Sequence, residues 1–95
     1  MPEYDEPKIK KELQEVYEKF VEDPSDKKNI ERIERLDHEY ESLVAINDYL
    51  VSRPVSRSMG EAIGYLSNLW LNSFEIDDEE RISRAKRILE NLQKQ

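Results

Sequence analysis

Apolar residues recur along this chain at spacings of three and four, in four separate runs. The first comprises Ile9, Leu13, Val16, Tyr17, Phe20 and Val21. The second, Ile33, Leu36, Tyr40, Leu43, Asn47 and Leu50, steps 3-4-3-4-3 and forms a heptad seam with one polar member, Asn47. The third fills residues 59–74, where Met59, Ala62, Ile63, Leu66, Leu69, Trp70 and Phe74 share a face and Tyr65 and Leu71 lie at its edges. The fourth is Ile82, Ala85, Ile88, Leu89 and Leu92. Successive helical residues turn by about 100°, so each run collects on one side of a helix. No segment alternates with the period of two that a strand requires beyond a few residues.

Helix-stopping and helix-starting residues separate the runs. Asp23-Pro24-Ser25-Asp26 ends the first and offers caps for the second. Pro54 ends the second, with Ser56 or Ser58 as the next cap and Ser58–Glu61 in the spacing of a capping box. Asp77 and Glu80 fit a capping box for the fourth. The expected architecture is all-α, a small antiparallel four-helix bundle with helices over about 8–22, 28–52, 58–73 and 78–94. The 95 residues suit a single helical domain, with residues 1–6 frayed.

The third run carries the functional argument. Its apolar arc spans roughly 240°, more than an outer helix of a bundle needs. This predicts a central helix or one that also meets a second subunit. Gly60 and Gly64 sit four apart at the edge of the arc, beside Ser67 and Leu71. A glycine inside a helix costs about 1 kcal/mol relative to alanine, so close approach of another backbone is the expected compensation. Tyr49, Tyr65 and Trp70 add aromatic surface of the type found in binding hot spots, although the mid-arc position of Trp70 favours the core. Tyr49, Gly60, Gly64, Tyr65, Trp70 and Leu71 are therefore the interface candidates.

Charge narrows the partner. The chain carries a formal −7 with 39% charged residues. Residues 1–50 hold 15 acidic and 8 basic side chains, and residues 51–95 hold 7 of each, so the whole excess lies in the first half. That field repels phosphate backbones and anionic lipid and suits a basic protein partner. Arg81, Arg84, Lys86 and Arg87, with Arg53 and Arg57 as possible neighbours, are the one candidate for nucleic acid, which the overall charge disfavours. The absence of an 18-residue apolar run argues against a membrane span, and a cytoplasmic location is the default.

Chemistry is sparse. With no Cys and one His, there is no thiol nucleophile, and His38 is the only imidazole. Glu34, His38 and Glu41 could share a helix face, but the repeated Glu-x-x-His segments of a di-metal bundle are missing. Neither a serine elbow nor a glycine-rich phosphate loop occurs, and no carboxylate interrupts an apolar stripe. No catalytic, cofactor-binding or metal residue is expected. The reading is a non-enzymatic helical protein-interaction module that self-associates, with itself as a homodimer or another protein as partner. The alternatives are a small-molecule or regulatory binding bundle, with a pocket lined by Trp70, Tyr40 and Asn47, and a small helical enzyme whose site forms at a subunit interface.

Overall fold

The computed structural model describes residues 4–50, 55–71 and 77–94, with the side chains of 46–50 excepted. Four helices follow one another: α1, Glu6–Glu22; α2, Lys27–Leu50; α3, Arg57–Trp70; and α4, Asp78–Gln93. They form the four-helix bundle expected from the periodicity, and no strand occurs among the described residues. Among these residues, no helix is long and apolar enough to cross a membrane.

Local chemistry sets the helix starts. Asp5 caps α1 by accepting from the Lys8 N–H at 3.3 Å, with Pro7 in the first turn, so α1 begins two residues earlier than the apolar pattern alone indicates. Asp26 accepts from Lys28 and Asn29 at the head of α2, while Ser25 turns back to Asp23. Ser56, rather than Ser58, caps α3 by accepting from the Met59 N–H at 3.4 Å. Ser58 is buried inside the first turn, and Glu61 pairs with Arg57 at 3.5 Å instead of closing a capping box. Asp77 accepts from the Glu80 N–H at 2.8 Å, and Asp78, Glu79 and Glu80 place negative charge at the positive end of α4.

Cross-helix bonds fix the directions. Arg32 pairs with Glu15 at 2.8 Å, and Tyr40 donates to Glu12 at 2.7 Å. Partners that advance along α2 retreat along α1, so the two helices are antiparallel. The Arg32 guanidinium holds the exposed Glu15 carboxyl below its ordinary range. Around the bundle, α1 lies against α2 and α4, and α3 against the same two, while the backbones of α2 and α4 do not approach each other closely within the described residues. The short diagonal runs between α1 and α3, where the buried Tyr17 hydroxyl donates to the Ala62 carbonyl at 2.6 Å.

The core collects the predicted stripes: Ile9, Leu13, Val16, Tyr17 and Phe20 from α1; Ile33, Leu36, Tyr40 and Leu43 from α2; and Ala85, Ile88 and Leu92 from α4. From α3 come Met59, Ala62, Ile63, Leu66 and Leu69, with Tyr65 drawn in from the edge of the arc. The breadth of the α3 arc thus has an explanation inside one chain, because α3 is covered on three sides by α1, α2 and α4. Asn47 and Tyr49 fall among the side chains outside the described residues.

Two charged residues are buried against the sequence pattern. Asp37, 4% exposed, accepts from the Trp70 indole N–H at 3.0 Å. Arg81, 6% exposed, donates from Nη2 to the Leu71 carbonyl at 2.6 Å and reaches Asp78 at 3.5 Å. A carboxylate does therefore interrupt the inner face of α2, and one of the basic residues of α4 points inward. Each is tolerated because a polar partner arrives from the end of α3. Arg81 also places a cation where α3 leaves its last carbonyls, which is the favourable end of the helix dipole for positive charge.

Candidate contact groove between α3 and α4

The outer side of α3 presents Gly60, Gly64, Ser67 and Leu71 at successive spacings of four, three and four. Gly60, Gly64 and Leu71 are exposed and Ser67 is half-buried. A side-chain carbon placed on either glycine would meet no atom within 4 Å. The close helix packing expected at the glycine pair is therefore absent among the described residues. Both glycines leave bare helix backbone facing solvent, at a cost of about 0.5–1 kcal/mol each relative to alanine and with no packing gain from the described residues.

Beside this strip, α3 and α4 enclose a groove of about 530 Å³, with Gly64 and Tyr65 on one wall and Arg84, Arg87 and Ile88 on the other. A second groove of about 430 Å³ adjoins it through Glu61 and Asn91 and extends to Arg57 and Lys94. Its walls also run antiparallel: Gly64 faces Arg84 and Arg87, and Arg57 faces Lys94. The α4 wall is a stripe of its own, since Arg84, Arg87, Asn91 and Lys94 recur at 3-4-3.

The groove therefore contains four cations and one carboxylate, in a protein whose net charge is −7. Two of the cations are loosely engaged at the surface, Arg57 with Glu61 at 3.5 Å and Arg84 with Glu80 at 3.8 Å. Exposed pairs of this kind contribute little. Arg87 and Lys94 have no ion pair among the described residues. The Arg84 guanidinium lies over the Tyr65 ring, 5.9 Å from its centre, within cation–π range. Tyr65 is only 8% exposed, and its hydroxyl has no hydrogen-bond partner among the described residues. Burial raises its pKa above the ordinary phenol value, and the nearby Arg84 and Arg81 oppose that shift.

The remaining interface candidates divide. Leu71 is 46% exposed, the one large apolar side chain so open among the described residues, and it continues the glycine strip at the far end of α3. Trp70 is half-buried and faces away from the groove toward α2, bonded to Asp37 and packed beside His38 with ring centres 5.9 Å apart. Gly60, Gly64 and Leu71 thus share one outer strip, with Tyr65 beneath it, and Trp70 belongs to another side. Arg84, Arg87 and Lys94, which line the groove, were not among those candidates. Arg84 and Arg87 belong to the basic group named in the sequence, and the 3-4-3 spacing they make with Asn91 and Lys94 is the signal that joins Lys94 to them.

The other chemistry weighed from the sequence does not assemble here. Among the described residues, no three His, Asp or Glu side chains group closely enough to hold a metal ion, and Glu34, His38 and Glu41 form no such cluster. Tyr40 and Trp70 open onto separate grooves, each with its polar atom already engaged. No protein-family model, curated protein or solved structure significantly matches the chain.

Proposed function

We propose that this protein is a non-enzymatic helical module that acts by protein contact through the outer strip of α3 and the groove between α3 and α4. The observation that carries this reading is the pair of exposed glycines. They weaken α3 and pack against nothing among the described residues, so the close approach they permit is open to another molecule. The adjoining groove, the exposed Leu71 and the buried Tyr65 hydroxyl lie on or beside the same helix.

Self-association through α3 is the simplest form of such contact. Its main support in the sequence, the breadth of the apolar arc, is accounted for by packing within one chain. Leu71 alone is a thin apolar centre for an obligate dimer, whose interface resembles a core cut in half. A polar, exchangeable contact with a different protein fits this surface better.

Site-specific photo-crosslinking tests the reading. A photoreactive side chain at Glu61, on the groove rim, is expected to give a discrete protein adduct in the source cell. The same group at Glu34, on the exposed face of α2, should give none. Equal adducts at both positions, or none at Glu61, would remove the support for a contact surface on α3 and α4.

A further inference from the structure

We infer that the occupant of the α3/α4 groove is an acidic segment of a partner protein, whose backbone lies against Gly64 and whose carboxylates meet Arg87 and Lys94. This inference rests on the contact reading and adds the chemistry of the partner. The groove is a basic feature on an acidic molecule: Arg87 and Lys94 make no ion pair among the described residues, and Glu61, the one carboxylate on its walls, is paired to Arg57. The carboxylates paired to Arg57 and Arg84 are exposed and exchangeable. Gly64 lowers one wall to bare backbone. Tyr65, more than nine-tenths buried, backs that wall, and its buried hydroxyl has no partner among the described residues. A glutamate-bearing helix supplies what Arg87, Lys94 and Gly64 lack: negative charge and a backbone that can approach closely. The requirement is opposite in sign to the basic partner suggested by overall charge, because the groove departs from the average of the chain.

Other occupants fit less well. Two copies meeting groove to groove would bring Arg87 and Lys94 near their own counterparts, a like-charge contact. A copy docking its acidic α1–α2 side would leave its own groove free for the next, giving a ring or an open-ended chain whose mass exceeds that of the single chain. A long polyanion such as nucleic acid would extend from the groove over a surface whose first half carries the entire −7 excess.

The test is fluorescence anisotropy of the full chain with a labelled alanine-based helical peptide bearing glutamates four apart. The same peptide with glutamine in their place and a labelled single-stranded oligothymidylate serve as comparisons, with mass followed by light scattering. Binding to the glutamate peptide should be about tenfold or more tighter than to the glutamine peptide and should weaken with salt. Arg87→Glu should weaken it by a similar factor. Gly64→Leu should abolish it while circular dichroism shows an intact bundle. Equal binding of the two peptides, or an Arg87→Glu variant that binds unchanged, would overturn the proposal. Oligothymidylate binding more tightly than the glutamate peptide would also overturn it, as would mass that grows with concentration. A discrete adduct from Glu61 without glutamate-peptide binding would leave the contact reading standing and reject the acidic partner. The absence of both would reject both.

Discussion

Replacing Gly60 and Gly64 by alanine should stabilise the protein, and the size of the gain follows from the structure. Both residues lie inside α3, both are exposed, and a side-chain carbon at either meets nothing within 4 Å. The substitution therefore introduces no clash and removes no native contact. What remains is the difference in helix propensity, about 0.5–1 kcal/mol per site, which acts mainly through the conformational freedom of the unfolded chain. Helix propensity is a per-residue quantity and two alanine methyl groups four apart interact little, so the double variant should gain about 1–2 kcal/mol. For a domain of this size, each kcal/mol raises the melting temperature by about 4–8 °C. Thermal and urea unfolding followed by circular dichroism measure this directly. A fall in stability for either single variant would mean that the strip is packed against something within the chain. The claim that its bare backbone is reserved for another molecule would then fail. The larger Gly64→Leu should fold with stability close to that of the parent, which makes it a clean probe of contact rather than of folding.

Other expectations follow from single bonds and burials. Tyr17→Phe removes the 2.6 Å bond across the bundle diagonal to the Ala62 carbonyl and should cost about 1–2 kcal/mol in urea unfolding; an unchanged midpoint would show that this bond does not hold α1 to α3. Asp37→Ala leaves the Trp70 indole N–H without its acceptor and should destabilise by about 1–3 kcal/mol while shifting Trp70 fluorescence; an emission spectrum identical to the parent's would contradict the pairing. Stability should also fall in alkali. Burial raises the phenol pKa of Tyr17, Tyr40 and Tyr65 in the fold, and for Tyr40 the Glu12 carboxylate adds to it. The folded state then binds protons more tightly than the unfolded state. The associated stability is complete below the ordinary phenol value of about 10 and is lost as pH rises above it. Urea midpoints should be lower at pH 11 than at pH 8, with a smaller drop in Tyr40→Phe, and equal midpoints would refute the burial of these hydroxyls.

The fold was legible because each helix writes its buried face at three-and-four spacing. The five core residues of α1 and the sequence Ile33, Leu36, Tyr40 and Leu43 in α2 occupy the positions their periodicity assigns. Asp37 and Arg81 escaped because a hydrophobic pattern places every charge outside. Their burial depends on the Trp70 indole and the Leu71 carbonyl, groups that reach them from the end of α3 only once the helices are assembled. Trp70 left the middle of the apolar arc for the same reason, since its polar edge found a carboxylate on α2. The cap of α3 was ambiguous between Ser56 and Ser58 because both lie within reach of its first turn, and the burial of Ser58 decides it. The glycine strip was visible as a pattern, but whether it faced a neighbour or solvent depended on the order of helices around the bundle. The same order brings Arg57 of α3 opposite Lys94 of α4 and converts scattered basic residues into one groove.

The central claim, that the groove between α3 and α4 receives an acidic partner segment, has a direct reporter in the chain itself. Gly60 and Gly64 are the only two glycines, and Trp70 is the only tryptophan. Their backbone amide and indole signals in a two-dimensional proton–nitrogen spectrum can be followed during titration with the glutamate-bearing helical peptide. The Gly64 amide is expected to move most and Gly60 with it, while the Trp70 indole, turned toward Asp37 on another side of the bundle, stays in place. A Trp70 indole that shifts while both glycine amides remain fixed would contradict it.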